Sequence, residues 1–191
     1  AAFENQDFMH KLSRLQELVN ARQVIRVTPK HRPEDKYFGI PLALTEEFIL
    51  LHEVREFHLD GYLVLPLPNI RGVRMKESEA VTQRILESEG ALKNLGLAEP
   101  VCLSNFAEFF GSLQAANILV SVETTERVGK WMEDFFVLGR VTSVHERDVI
   151  MQPFDALGYW CDSAQKVPYR RILSVTFNNE YMNVFSKYLR S

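Results

Sequence analysis

The chain has 191 residues, of which 46% are hydrophobic and 25% are charged, and its formal net charge is −3. These values are typical of a globular protein of one or two domains and exclude a disordered chain. The small net charge favours neither nucleic acid nor a membrane surface as a partner, and no apolar run approaches the ~20 residues that span a bilayer. Because Cys102 and Cys161 lie in no paired motif, we expect a reducing, bacterial-type cytoplasm.

Residues 3–20 are predicted to form a helix, since apolar residues recur there at spacings of three and four. The apolar stripe comprises Phe8, Leu12, Leu15, Leu18 and Val19. Such a helix either binds a partner or a membrane surface, or packs across the adjoining domain. Its polar face carries both signs of charge, which favours the packed helix.

The most basic stretch of the chain follows this helix and contains Arg22, Arg26, Lys30, His31 and Arg32. Clustered cations can hold a phosphate backbone, so Arg22, Arg26, Lys30 and Arg32 are candidate contacts for RNA or single-stranded DNA. However, Glu34 and Asp35 follow directly, and no aromatic residues interleave to stack on bases. The competing interpretation is a solvated loop between two strands.

A predicted hairpin at residues 51–60 carries several side chains that metals can use, namely His52, Glu53, Glu56, His58 and Asp60. A metal site needs side chains that converge, whereas neighbours on a strand point to opposite faces. We therefore expect an exposed hairpin of mixed charge and no metal.

Residues 37–75 are predicted to form a small β-meander, and a second copy of its pattern follows about a hundred positions later. With Gly39 set against Gly139, Glu46 falls on Glu146 without a gap. After a two-residue insertion, Leu65-Pro66-Leu67 meets Val167-Pro168-Tyr169, and Ile70-x-x-Val73 meets Ile172-x-x-Val175. The order of turn, apolar run and proline-bearing strand is kept throughout, which indicates an internal duplication.

Each copy is predicted to contain five short strands, and closing such a sheet would remove its edges. A helix followed by five strands, with a glycine in the second strand and an Ile-Arg-Gly-Val ending, resembles the Sm-like fold. The resemblance implies RNA binding through an Asp-x-φ-Asn element and an Arg-Gly turn. Here the first region reads Glu46-Glu47-Phe48-Ile49 without the asparagine, and Arg71-Gly72 lies inside the last strand. We therefore expect this chain to share the Sm-like fold but not the RNA contacts of that family.

Three further helices are predicted, at residues 76–95 with Ser78 as its cap, at 104–116 with Ser104 as its cap, and at 179–189. The predicted fold is therefore α+β. It consists of two tandem five-stranded Sm-like or SH3-like β-barrels, each flanked by helices and related by internal duplication. The first domain spans residues 1–97 and the second spans residues 98–191.

The second copy differs from the first at its hairpin, which carries Phe154, Leu157, Tyr159, Trp160 and Cys161. An aromatic cluster of this kind is either a binding hot spot or the seam between the two barrels. Because the first copy is polar at the equivalent place, the seam is the preferred interpretation.

No His-Glu-x-x-His, Gly-x-Ser-x-Gly or glycine-rich phosphate loop occurs, and no histidine is placed beside Cys102 or Cys161 by any motif. We expect no enzyme, no catalytic residues and no cofactor. The predicted function is a cytoplasmic interaction or scaffold protein whose partner is another protein. Binding of RNA or single-stranded DNA is the alternative, and a small ligand between the barrels is a third. No membrane association is expected.

Overall fold

The computed structural model describes residues 2–128 and 131–190, and it describes side chains over residues 12–126 and 133–190. Within those residues the α-helices are α1 (Ala2–Ala21), α2 (Glu77–Ser88), α3 (Phe106–Ala115) and α4 (Glu180–Phe185). The strands are β1 (Ile25–Pro29), β2 (Tyr37–Leu44), β3 (Phe48–Arg55), β4 (His58–Pro66), β5 (Ile70–Arg74), β6 (Leu119–Val128), β7 (Trp131–Val144), β8 (Asp148–Pro153), β9 (Gln165–Pro168) and β10 (Ile172–Phe177). No helix in the described part of the chain is long and apolar enough to cross a membrane.

The prediction of two closed barrels is wrong, because all ten strands belong to one open sheet. The strand order is β5-β1-β2-β3-β4-β10-β6-β7-β8-β9. Closing the first five strands would require β4 to pair with β5. Instead, β4 pairs with β10, with Val64 opposite Val175 and Tyr62 opposite Phe177. Closing the second five strands would require β10 to pair with β9. Both edges of β10 are already paired, with β4 and with β6. Every strand pair with a described register is antiparallel.

The residue contacts divide the chain into two compact units. The first unit comprises residues 1–60 and 67–97, and the second comprises residues 61–66 and 98–191. Most of β4 therefore belongs to the second unit, although the sequence placed it in the first domain. Helices α1 and α2 lie in the first unit, and α3 and α4 lie in the second.

The order of strands is the same in the two halves of the sheet, since β5-β1-β2-β3-β4 corresponds position by position to β10-β6-β7-β8-β9. The aligned glycines also have the same surroundings. A Cβ on Gly39 would lie 2.7 Å from the backbone oxygen of His52, and a Cβ on Gly139 would collide with the backbone oxygen of Gln152. At both positions only glycine lets the neighbouring strand approach this closely.

The core of the first unit includes a cluster of buried residues from β2, β3, α2 and the position just before β1: Ile40, Val54, Leu86 and Val24. Of the predicted stripe on α1, Leu15 is buried, Leu12, Leu18 and Val19 are half-buried, and the side chain of Phe8 lies outside the described residues. The packing of α1 against β2 accords with this stripe.

The core of the second unit is rich in aromatic rings. Phe109 and Phe110 of α3 are fully buried, with ring centroids 5.4 Å apart. Phe177 of β10 packs 5.9 Å from Phe109 and 5.1 Å from Tyr62. Aromatic pairs of this geometry stabilise a core beyond the area that they bury.

Two predicted helix starts are shifted. Helix α3 is capped by Asn105, whose Oδ1 accepts the Glu108 N–H at 2.9 Å, so Ser104 is not the cap. Helix α2 begins at Glu77, after Lys76 in the cap position, and Ser78 lies within the first turn.

Candidate functional site

Internal hydrogen bonds fix the conformation of the connection between β8 and β9, residues 154–164. Asp155 organises it, because its Oδ1 accepts the N–H groups of Leu157 and Tyr159, each at 2.9 Å. The Asp155 N–H donates to the Tyr159 oxygen at 2.9 Å, and Phe154 bridges Trp160. An aspartate that satisfies nearby backbone N–H groups in this way fixes a tight turn. Gly158, at φ +85°, supplies the left-handed residue that the turn requires.

A layer of stacked rings joins this loop to α4. The Phe154 ring lies 5.2 Å from Phe185 in a stacked arrangement and 5.7 Å from Trp160 edge to face. Phe185 in turn stacks on Tyr181 at 5.5 Å. Helix α4 is itself fixed by Asn179, whose Oδ1 accepts the Met182 N–H at 2.9 Å. The loop and the helix thus share one ring layer.

Two arginines brace the loop from its sides. The Arg140 guanidinium lies over the Trp160 ring, 4.4 Å from its centroid. The Arg190 N–H donates to the Gly158 oxygen at 2.7 Å, and Arg190 Nη1 donates to the Tyr159 hydroxyl at 3.0 Å. Cation–π and hydrogen-bond contacts of this kind limit the conformations that exposed side chains can adopt.

A set of large apolar side chains on this loop, on α4 and on the 3₁₀ turn that follows α4 is between 46% and 70% exposed. We call them the aromatic surface: Leu157, Tyr159, Tyr181, Val184 and Tyr188. Exposed apolar residues are ordinary when scattered singly, but a contiguous group indicates an interaction site. The hairpin rings that are packed, Phe154 and Trp160, find their ring partners within the same unit. This arrangement favours a binding surface over a seam.

The sequence missed most of this surface. The sequence predicts a helix at residues 179–189, with Tyr181, Val184, Phe185, Tyr188 and Leu189 at helical spacing. In the structure Tyr181, Val184 and Tyr188 are exposed, whereas Phe185 and Leu189 are half-buried. The signal that would have found them is the shortness of α4, which gives way to a 3₁₀ turn at Ser186–Tyr188. One and a half turns cannot bury five large side chains on one face.

Among the predicted nucleic-acid contacts, Arg26 is used inside the protein. Its Nε lies 2.9 Å from Oε1 of Glu79, a carboxylate with no exposed surface, and its guanidinium lies 4.3 Å from the Phe38 ring centroid. Arg74 Nη2 approaches the same oxygen at 3.2 Å. Arg26 is thus part of an internal ion-pair network.

The other three predicted contacts lie on the turns that flank β1. Arg22 is exposed with φ 48°, and Lys30 is exposed at the end of β1, where its N–H donates to the Asn69 oxygen at 2.7 Å. Arg32, with φ 52°, lies 3.8 Å from Asp35 in an exposed ion pair. Arg26 is therefore held by Glu79 and Arg32 faces a carboxylate, whereas Arg22 and Lys30 are exposed. Nucleic-acid binding by these residues stays a prediction.

The hairpin with candidate metal ligands places its two histidines in different surroundings. His52 on β3 is buried and its Nδ1 accepts the Gly96 N–H at 3.4 Å, whereas His58 on β4 is exposed. Burial lowers the pKa of His52, and the nearby Asp60 only partly offsets this effect. Within the described chain, no three His, Cys, Asp or Glu side chains come together as a metal would require.

Among the described residues, each unit has a cavity that could hold a small ligand. The first has a volume of about 230 Å³ and lies along α2, where Gln23, Glu79 and Arg84 contribute to its walls. The second has a volume of about 380 Å³ and lies between the β6–β7 hairpin and β9, beside the exposed Phe136.

The chain matches no protein-family model, and no curated protein and no solved structure shows a significant similarity to it. The resemblance to the Sm-like fold therefore stays a prediction.

Proposed function

We propose that this chain is a non-enzymatic interaction protein that binds a partner protein through the aromatic surface. The observation that carries the proposal is the exposure of Leu157, Tyr159, Tyr181, Val184 and Tyr188 on a loop and a helix that are joined by the Phe154–Phe185 ring contact. Three of the five are tyrosines, which are enriched in protein interfaces because they combine a large apolar face with a hydroxyl group.

The platform beneath these residues supports tight binding. Tyr159 is held by Arg190 and Tyr181 by the Phe185 ring, so both are already ordered before a partner arrives. Ordering a flexible side chain at an interface costs ~0.5–1.5 kcal/mol, and a pre-ordered surface avoids part of that cost. Covering apolar area contributes roughly 25 cal/mol per Å², which drives the association.

The loop that carries Leu157 and Tyr159 of this surface is additional to what the sheet needs. In the first half, β3 ends at Arg55 and β4 begins at His58, so only Glu56 and Phe57 connect them. Both have positive φ, as a two-residue hairpin turn requires. In the second half, residues 154–164 stand in that place. A hairpin that could have been closed by two residues instead displays a hydrophobic surface.

A cytoplasmic location is part of the proposal. Cys102 and Cys161 are both free and both half-buried, which suits a compartment that keeps thiols reduced.

The test is to replace Leu157, Tyr181 and Tyr188 together by serine and to measure binding of the purified partner by calorimetry. The partner is first identified by photo-crosslinking from an unnatural benzophenone side chain at position 188. The matched control carries Phe57→Ser and Val81→Ser, which remove exposed apolar side chains from the first unit. We expect the triple variant to weaken binding at least tenfold and the control to bind as the wild type does.

The proposal fails if the triple variant binds as tightly as the control. It also fails if the crosslinked partner is RNA or single-stranded DNA, with an affinity that falls steeply as salt rises and is lost when Arg22, Lys30 and Arg32 are replaced by glutamine. An interface of apolar contacts would depend only weakly on salt.

A further inference from the structure

Three side chains at the turn between β7 and β8 are linked by hydrogen-bond contacts. Ser143 Oγ lies 3.0 Å from Nε2 of His145, and Nδ1 of the same ring lies 2.8 Å from Oδ1 of Asp148. A hydroxyl, an imidazole and a carboxylate follow one another, and the two ring nitrogens face opposite partners. This is the arrangement of a serine nucleophile, its general base and the group that orients the base.

The carboxylate decides which ring nitrogen carries the proton. Hydrogen bonds from His145 and from Lys166, whose Nζ lies 3.0 Å from Oδ2, lower the pKa of Asp148. The Asp148 carboxylate is therefore ionised and can only accept hydrogen bonds. Nδ1 of His145 must then be the donor, which leaves the Nε2 lone pair of the neutral ring for the Ser143 hydroxyl proton.

The backbone holds these groups in place. The His145 N–H donates to the Asp148 oxygen at 2.9 Å, which closes the turn. The Tyr169 hydroxyl donates to the His145 oxygen at 2.8 Å, and burial raises the pKa of Tyr169 to about 12, so this hydroxyl keeps its proton. A register shift between Val141 and Ser143 sets the position of the serine within β7, where it lies opposite Ile150 of β8.

The corresponding turn in the first half shows that the fold does not need this triad. There the Thr45 N–H donates to the Phe48 oxygen at 2.9 Å, the same bond at the same distance. The Thr45 hydroxyl accepts the Phe48 N–H at 3.0 Å and completes the turn. Because a threonine alone is sufficient at this turn, the serine, histidine and aspartate of the second half are an addition to it.

We propose that Ser143 is a nucleophilic modification site that accepts an acyl group from activated esters and thioesters. Its Oγ forms a bond to the acyl carbon while Nε2 of His145 takes the hydroxyl proton. The bond from the acyl carbon to the leaving oxygen or sulfur then breaks, and His145 returns the proton to that leaving group. One ester bond replaces another, and no oxidant or reductant is needed.

The surroundings of the triad define what it accepts and how fast. Ser143 is half-buried and the His145 side chain is 52% exposed, so small donors reach the hydroxyl from solvent. General-base assistance contributes about 10²–10⁴-fold in rate. A single stable acylation of the chain, without turnover, is compatible with a non-enzymatic interaction protein.

The test uses p-nitrophenyl acetate with the full chain, followed by intact mass spectrometry and peptide mapping. We expect one acetyl group on Ser143, none at this position in Ser143→Ala, and a rate on Ser143 at least a hundredfold lower in His145→Gln. Ser186→Ala, which removes another exposed hydroxyl, is the matched control and should react as the wild type does.

Two further variants separate catalytic assistance from structure. Ser143→Cys retains a nucleophile at the same place and should still be acetylated there. Lys166→Ala removes the second partner of Asp148 and leaves its contact with His145 in place, so Ser143 should still be acetylated. Acetylation of Ser143 at the same rate in wild type and His145→Gln, or acetylation of lysine side chains only, would overturn the proposal.

Discussion

Glu79 is the buried charge on which the first unit depends most. Its side chain has no exposed surface, and it accepts hydrogen bonds from the Lys76 N–H at 2.8 Å, Ser78 Oγ at 3.0 Å and Arg74 Nη2 at 3.2 Å. Arg26 completes the group at 2.9 Å. The carboxylate therefore ties α2 to β1 and β5, which are paired with Arg26 opposite Arg74.

We predict that Glu79→Gln destabilises the protein by about 2–3 kcal/mol. Removing one partner of a fully buried ion pair costs ~3–5 kcal/mol, because the other charge is left without compensation. Here the side chains of Arg26 and Arg74 are 24% and 38% exposed, so water compensates part of their charge and the cost is lower. Glutamine retains the size of the side chain and one acceptor oxygen.

The free energy of unfolding is measured by urea titration at pH 7, with Glu89→Gln as the control because Glu89 is exposed just after α2. Equal urea dependence in the two variants would show that only stability has changed. A difference of less than about 0.5 kcal/mol between Glu79→Gln and the control, the range of ordinary surface substitutions, would refute the reasoning.

The same carboxylate gives a pH signature. Burial alone would raise the pKa of Glu79, but the hydrogen bonds from Lys76, Ser78 and Arg74 outweigh burial and lower the pKa below 4.5. A carboxylate with a lowered pKa in the folded state contributes stability above its unfolded pKa and loses it as pH falls through the folded value. Below about pH 4.5 the wild type should therefore lose stability more steeply than Glu79→Gln.

Two further outcomes are expected. Gly39→Ala should destabilise the protein by roughly 1–3 kcal/mol, since its Cβ would lie 2.7 Å from the His52 oxygen. The Cβ of Gly72→Ala would meet nothing within 4 Å, so this variant should be close to neutral. Both variants are compared with the wild type by thermal unfolding. His52, whose pKa burial lowers from 6.5, should stabilise the fold fully above that pH and less as pH falls. The loss between pH 6.5 and 5 should shrink in His52→Asn, and an unchanged profile would contradict this.

The sequence was informative where structure is local. The positions of the strands, the glycine pair at 39 and 139, and the repeated order of turns follow from patterns within a few residues. The prediction of barrel closure was wrong because closure depends on which strand pairs with the second edge of β4. That strand is β10, which lies more than a hundred residues later in the chain. No periodicity in either segment encodes that choice.

The candidate sites were hidden for the same reason. Arg26 looked like a free cation because Glu79, its partner, lies on a helix fifty-three residues later (79 minus 26). The Ser143, His145 and Asp148 set is local, but its spacing matches no catalytic motif, and only the register shift at Ser143 and the closed turn bring the three together. The sequence alone does not show that these three side chains are in hydrogen-bond contact.

The two halves of the sheet distinguish what the fold needs from what the protein adds to it. Both halves have the same strand order, a glycine at the same crossing and the same closing bond in the turn after their second strand. They differ where the second half carries residues 154–164 instead of a two-residue turn, and His145 and Asp148 instead of Thr45 and Phe48. Because the first half folds without these features, stability does not account for them. The loop part of the binding surface, with Leu157 and Tyr159, and the nucleophile therefore both lie where the second half departs from the first.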